Sequence, residues 1–126
     1  MLSTAIELCK SAIDLFYKSK ETSKNTKLRV GILLEEISNI LKDTADRLSK
    51  DEYPHFNCFL MEKMCDKLHF YITGIVPEEQ LDELYDALKE ATQVEKQFAL
   101  RQDPNTIPAI YKAAAEFKSL SLMIKV

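Results

Sequence analysis

The sequence predicts an all-α protein, a single domain spanning residues 1–126. Only two of the 126 residues are glycine, whereas strands, hairpins and phosphate-binding loops use glycine where the backbone turns or approaches a ligand closely. Apolar residues instead recur at helical spacing in five segments. We therefore expect a five-helix bundle, in which a core resembling a four-helix bundle is joined by an amphipathic helix at the N-terminus.

Length and composition fit one globular domain in the cytosol. Hydrophobic residues make up 46% of the chain, which at this length allows a single core. We expect no membrane span and no secretory signal, because the chain has no long apolar run and no basic region before one. The cysteine count is odd, and Cys58 and Cys65 lie about 10 Å apart along one helix. We therefore expect reduced, buried thiols.

The first predicted helix runs from about Thr4 to about Ser19, because Thr4 and Glu7 have capping-box spacing and two apolar stripes follow. A polar connector over residues 20–27 comes next, and with its flanks it forms a candidate basic connector. Its cations are Lys18, Lys20, Lys24, Lys27 and Arg29. Since no aromatic residues interleave with them, we expect a solvated loop and no nucleic-acid binding.

The second predicted helix has the most regular apolar pattern of the chain. We expect Asn25 or Thr26 to cap its N-terminus and close packing to explain Gly31 near its start. Its apolar residues are Val30, Leu33, Leu34, Ile37, Ile40, Leu41, Ala45 and Leu48. We expect the residues before Pro54 to end this helix, because the residue preceding a proline is disfavoured in helical geometry.

The third predicted helix begins at Pro54 and runs to about Thr73, with Gly74 as its terminator. On a helical wheel, one wide apolar arc forms a predicted core face. This arc contains Cys58, Leu60, Met61, Met64, Cys65, Leu68, Tyr71 and Ile72. A polar stripe beside the arc contains His55, Glu62, Asp66 and His69.

A second apolar stripe on the third helix is the candidate interaction surface. It consists of Phe56, Phe59 and Phe70 and is interrupted only by Lys63. A helix with two apolar faces must contact two partners. We expect the wide apolar face of the first helix to cover this stripe. The alternative is an exposed stripe that docks a protein partner or a second copy of the chain.

Two further helices complete the prediction. Pro77 opens the fourth, whose first two turns carry the acids that the helix dipole favours there, namely Glu78, Glu79, Asp82 and Glu83. Its predicted buried stripe contains Leu81, Leu84, Tyr85, Leu88, Ala91 and Phe98. A break at residues 103–108 precedes the fifth helix, whose apolar pattern runs from Ile110 to Ile124.

Metal binding and catalysis receive little support from the sequence. The third helix carries two His–Cys pairs, His55 with Cys58 and Cys65 with His69. The first pair lies more than about 10 Å from the second along the helix axis. Because zinc ligands must all lie within about 2.3 Å of one ion, the four residues cannot share one zinc site. Cys65 and His69 alone offer two ligands or a Cys–His pair, without an identifiable oxyanion loop or third orienting group. We predict no metal, no cofactor and no enzymatic activity.

The stretch from Arg29 to Leu68 resembles uncharacterised helical modules at the front of bacterial, especially cyanobacterial, signalling or conflict proteins. The resemblance is carried by Arg-Val-Gly-Ile-Leu-Leu-Glu-Glu-Ile, Asp-Glu-Tyr-Pro-His-Phe-Asn-Cys and Met-Glu-Lys-Met-Cys-Asp-Lys-Leu. Its most specific element is Tyr53-Pro54-His55 followed by Cys58. The architecture is also similar to the bundle domains of cell-death and immune effectors, a likeness of fold alone.

These observations predict a protein-interaction or regulatory module that binds a protein partner or itself. The chain ends inside an apolar helical pattern, so we expect it to be the N-terminal domain of a longer signalling or defence protein. One alternative is a membrane-active bundle that uses the first helix and the basic connector. Another is a small metal-binding or enzymatic helical protein.

Overall fold

The computed structural model describes residues 2–19, 23–52, 55–73, 76–83, 85–86 and 106–125. It confirms the all-α class and the five helices. Four of them are α1 (Leu2–Lys18), α2 (Lys24–Ser49), α3 (His55–Ile72) and α5 (Thr106–Lys125). The remaining one, α4, is described over residues 78–83 and 85–86. In the described residues, strand geometry is limited to one isolated bridge between Thr73 and Val76.

An antiparallel pair of helices, α2 and α5, forms the centre of the fold. Among the described helices these two share the most extensive contact. Small residues recur along the contact face of α2 at intervals of seven, as Gly31, Ser38 and Ala45. Two buried hydroxyls cross the interface, because Ser38 Oγ donates to the Ala114 carbonyl at 2.6 Å and Ser121 Oγ donates to the Gly31 carbonyl at 2.6 Å. Small side chains thus let the two backbones approach closely.

Gly31 is the residue at which this approach is tightest. A Cβ at position 31 would lie 2.6 Å from Lys125 Cγ and 3.0 Å from Ile124 Cγ2. Such distances are shorter than van der Waals contact between carbon atoms. The prediction that close packing explains Gly31 is therefore confirmed. The segment that packs against Gly31 is the C-terminal turn of α5.

α1 is an integral part of the core. Cys9, Ala12, Ile13 and Phe16 are all fully buried and belong to the same hydrophobic cluster as the contact faces of α2, α3 and α5. At the edge of this contact, Lys10 Nζ lies 2.7 Å from Glu116 Oε2 of α5. The apolar face of α1 is thus used inside the bundle.

The ends of the first two helices differ from those predicted. α1 begins at Leu2, so Thr4 lies inside it and does not cap it. The N-cap of α2 is Ser23, whose hydroxyl accepts from the Thr26 backbone N–H at 3.1 Å. The caps predicted at Asn25 or Thr26 are wrong, because Ser23 also has an oxygen suited to capping and lies where the chain is still extended.

The second helix ends at Ser49, before the stretch predicted to break it, and its end forms a Schellman motif. Pro54 lies outside the described residues. The Glu52 N–H donates to the Arg47 carbonyl at 2.9 Å, and the Asp51 N–H donates to the Leu48 carbonyl at 3.1 Å. Asp51 takes the left-handed conformation, with φ of 59°, that this motif requires. Aspartate tolerates this conformation better than most residues.

A polar contact joins α2 to α3. Asn57 is 6% exposed and lies in the first turn of α3, on the buried side of the helix. Its side-chain amide donates to Asp43 Oδ2 at 2.8 Å and to Thr44 Oγ1 at 3.1 Å. A buried amide with two partners sets how the helices are placed along each other, because other placements would leave it unsatisfied.

The last two helices are described in part. α5 begins at Thr106 and not after Pro108, because a proline in the first turn of a helix loses no intrahelical hydrogen bond. Leu81 of α4 is buried in the core. The terminator Gly74, the break at 103–105 and the predicted stripe of α4 beyond residue 86 lie outside the described residues.

Candidate interaction surface on helix α3

The face of α3 that points into the bundle is the one predicted. Met61, Met64, Cys65, Leu68 and Ile72 are buried in the hydrophobic cluster. Leu60 and Tyr71, at the edge of the arc, are partly buried. The side chains of Cys58 and His55 lie outside the described set.

The phenylalanine stripe of α3 is exposed. Phe56 is 70% exposed, Phe59 55% and Phe70 75%. The expectation that α1 covers this stripe is wrong. The physical reason is that α1 buries its apolar residues against the core on the opposite side of α3, so it cannot also lie across the phenylalanines.

The exposed side of α3 follows a regular pattern with alternating intervals of three and four residues. We call these positions the α3 seam. The seam consists of Phe56, Phe59, Lys63, Asp66, Phe70 and Thr73, all of which are exposed. This spacing is the one by which two helices pack side by side in a coiled coil. α3 therefore carries one face for its own core and a second face, with coiled-coil spacing, toward solvent.

Thr73 continues the seam just beyond the last residue of α3. Its N–H donates to the His69 carbonyl at 3.1 Å and its hydroxyl donates to the same carbonyl at 2.6 Å. These bonds extend the helical turn by one residue and hold Thr73 in register with Asp66 and Phe70.

An open depression lies at the C-terminal end of the seam. Its lining residues are Asp66, His69, Phe70, Thr73 and Tyr85. Tyr85 of α4 closes one side, because its hydroxyl donates to Asp66 Oδ1 at 2.9 Å and its ring packs edge-on against His69 with centroids 5.0 Å apart. Three of these residues on α3 and the adjoining Thr73 stand at positions i, i+3, i+4 and i+7, which is the arrangement of a hole in knobs-into-holes packing.

The charges of the seam lie in its middle. The Lys63 ammonium lies over the Phe59 ring, 5.3 Å from its centroid, which is a cation–π contact. Asp66, one turn further along, is exposed and accepts the Tyr85 hydroxyl bond described above. The seam therefore has phenylalanines on both sides of a centre that carries one positive and one negative group.

The candidate basic connector is held largely in the ends of two helices. Lys18 lies at the end of α1, 3.0 Å from Asp14 Oδ2. Lys27, in the first turn of α2, donates to the Tyr17 carbonyl at 2.8 Å and lies over the Tyr17 ring. Lys24 and Arg29 are also helical and exposed, and Lys20 lies outside the described residues. The predicted loop over 20–27 is therefore shorter than expected.

The buried thiols belong to the core. Burial, with a smaller contribution from the nearby Cys65 thiol, raises the pKa of the Cys9 thiol to about 12. Neither Cys9 nor Cys65 forms a disulfide, and both are fully buried. A thiol with so high a pKa is a poor nucleophile at neutral pH. Within the described part of the chain, no group of three or more His, Cys, Asp or Glu side chains is placed to hold a metal ion.

Comparison with protein-family models, with curated proteins and with solved structures finds no match for this chain. None of the helices in the described residues is long and apolar enough to cross a membrane.

Three residues of this surface were not identified from the sequence as parts of an interaction site. Asp66 was assigned to a polar stripe, Thr73 to the end of a helix, and Tyr85 to the core stripe of α4. For Asp66 and Thr73 the signal was present as the three-and-four spacing that continues from Phe56. Tyr85 had no such signal, because its place beside α3 depends on how α4 packs.

Proposed function

We propose that this protein is a protein-interaction module of the cytosol, acting in signalling or defence, and that the α3 seam is its docking surface. The observation that carries the proposal is the exposure of three phenylalanines on one side of one helix. Taken together they present about 400 Å² of apolar surface to water. Exposed apolar side chains that together present a few hundred Å² beside polar groups are a feature of interaction sites on folded domains.

The cost of keeping this surface exposed supports the proposal. Burying a phenylalanine side chain stabilises a protein by about 1.5–3 kcal/mol, and the α3 helix forgoes this gain at three positions. The apolar groups flank a charged centre, as in interfaces that combine an apolar contact with polar groups that set the register. The absence of a disulfide at Cys9 and Cys65 supports a reducing compartment.

The membrane-active alternative receives less support. It uses the apolar face of α1, and Ile13 and Phe16 on that face are fully buried. Insertion of α1 into lipid would therefore require the core to open. Flotation with vesicles of phosphatidylcholine and phosphatidylserine tests this alternative, and we expect the protein to stay with the unbound fraction.

The experiment that tests the proposal compares two substitutions that each place an aspartate at an apolar residue of the same exposure. Phe59→Asp places a charge in the seam, whereas Leu122→Asp places one on α5, where Leu122 is also 55% exposed. Each variant and the natural chain are used as bait in quantitative affinity capture from a lysate of the source cells. Circular dichroism and thermal unfolding establish that both variants are folded.

We expect bound proteins, including further copies of the chain, to be lost from Phe59→Asp and kept by Leu122→Asp. Equal capture by all three baits would contradict the proposal, because the seam would then contribute nothing to binding.

A further inference from the structure

We propose that the α3 seam binds a second copy of this chain, with the two α3 helices antiparallel and Lys63 of each copy opposite Asp66 of the other. This inference rests on the proposed function, because it names the partner of the same surface. It is argued from the geometry of the seam, from its charges and from the shape of the depression beside it.

The geometry fixes which residues face each other. Three-and-four spacing divides the seam positions into two alternating sets. In an antiparallel pair of helices, each residue of one set faces a residue of the other set in the partner helix. Phe56, Lys63 and Phe70 form one set, and Phe59, Asp66 and Thr73 form the other. With the two-fold axis beside Met64 and Cys65, the pairs are Phe56 with Thr73, Phe59 with Phe70, and Lys63 with Asp66. Two-fold symmetry makes each pair occur twice.

The charges favour this orientation over the parallel one. In the antiparallel pair, the two central layers each join an ammonium to a carboxylate. In a parallel pair in register, Lys63 would face Lys63 and Asp66 would face Asp66, and like charges at such positions are destabilising. Asp66 keeps its bond to the Tyr85 hydroxyl in this arrangement, because a carboxylate accepts several hydrogen bonds.

The depression at the end of the seam has the form needed to receive a side chain from the second copy. In the antiparallel register, the residue that faces the centre of the four positions Asp66, His69, Phe70 and Thr73 is Phe59 of the second copy. There its ring meets Phe70 and the ring of Tyr85, which are apolar and aromatic partners. The hole is open in the single chain, so Phe59 would enter it without a rearrangement of the core.

The area of the contact indicates a reversible dimer. Six phenylalanines would bury about 800 Å² in total, and the stem of Lys63 with Thr73 brings the interface to about 1,000 Å². This is the lower limit for a specific interface and corresponds to a transient association. We expect dissociation constants in the micromolar range, about 10 to 100 μM.

Charge exchange between positions 63 and 66 tests the inference. Lys63→Asp and Asp66→Lys are each measured alone, mixed with each other, and combined in one chain, by sedimentation equilibrium of the full chain. Each single variant places like charges in both central layers of its own dimer. We expect self-association of each to weaken by about tenfold or more, with the mixture and the double variant restored to near the natural value.

A control on α5 separates the charge effect in the seam from other causes. Leu122→Asp introduces a charge at an exposed residue outside the seam and is expected to associate as the natural chain does. Circular dichroism of every variant establishes that the helices are formed.

Several results would overturn the inference. One is a natural chain that stays monomeric up to about 1 mM, well above the expected constants, and another is association unchanged in both single variants. A third is a mixture of the single variants that associates no better than either alone. If the natural chain is monomeric while Phe59→Asp still loses captured proteins, the self-association fails and the proposed function stands. If capture is also unaffected, both fail.

Discussion

At the scale of single residues, two small features decide how the central helices pack. Gly31 allows α5 to lie against α2, because a Cβ there would meet Lys125 Cγ at 2.6 Å. Asn57 gives the contact between α2 and α3 a polar fixed point, because its amide has two partners on α2. Neither contributes much apolar area, and both act by allowing one placement of the helices and penalising others.

We predict that Gly31→Ala destabilises the protein although alanine is the better helix former. Alanine gains about 1 kcal/mol of helix propensity, but an inserted methyl in a packed contact costs about 1–3 kcal/mol. We expect a net loss of about 1 kcal/mol in the free energy of unfolding, measured by urea denaturation. In a Lys125→Ala background, which removes the Cγ atom, the loss should be smaller. An equal or greater loss in that background would contradict the assigned contact.

We predict that Asn57→Ala costs about 1–3 kcal/mol, because it leaves buried polar groups without a partner. The bond from Asn57 is also the main cause that lowers the pKa of Asp43, ahead of the bond from Arg47. In the variant, the pKa of Asp43 should therefore rise toward its ordinary value. Titration of the carboxyl resonance by NMR measures this, and an unchanged pKa would show that Asn57 does not bond to Asp43 in solution.

At the scale of helices, the α2–α5 pair combines close backbone approach with an ion pair at its end. Glu35 lies 2.9 Å from Lys118 Nζ and also contacts the ammonium of Lys125. Because Lys125 also covers Gly31, the same side chain contributes to the packing and to the ion pair. The bonds from Lys125 and then Lys118 lower the pKa of Glu35 to about 2.

We predict a pH dependence from this lowered pKa. Above the ordinary value of 4.5 the carboxylate is charged in the folded and unfolded chain, so its stabilisation is fully present, and it is lost as pH falls from 4.5 to about 2. The natural chain should exceed Glu35→Gln in unfolding free energy at pH 7, and the difference should shrink below pH 4.5. Glu36→Gln, at the exposed neighbour, is the control. A difference independent of pH would contradict the ion pair.

At the scale of the whole molecule, α1 and α3 use their apolar faces differently. α1 places its apolar residues in the common core, whereas α3 divides its residues between the core and the exposed seam. The helices that the structure describes therefore share a core without covering the phenylalanines. Under the proposed function, this separation lets a partner bind the seam without loss of the fold.

We predict that deletion of residues 1–19 abolishes cooperative unfolding. The deletion removes Cys9, Ala12, Ile13 and Phe16, all fully buried, and exposes the core surfaces that they cover. Phe16→Ala alone should cost about 3–5 kcal/mol, as for a buried aromatic residue. Thermal unfolding followed by circular dichroism measures both. A truncated chain that unfolds cooperatively with the natural midpoint would show that α1 is separable from the bundle.

The helices and the core residues could be predicted from the sequence, because both depend on local periodicity. The buried face of α3, including Met61, Cys65 and Leu68, follows from the wheel alone. Helix ends were predicted less well, since capping depends on which of several suitable residues lies at the turn. At the N-terminus of α2, Ser23, Asn25 and Thr26 all had a suitable side chain, and the sequence could not rank them.

By itself, the sequence determined that this chain is all-α and that α3 has two apolar faces. A repeat of apolar residues fixes the side of a helix on which they lie, because each residue turns the helix by a constant angle. Only the tertiary structure decided which face is covered, because α1 could have packed on either. It packs into the core, where Ile13 and Phe16 gain full burial. The phenylalanines of the α3 seam are left facing the solvent.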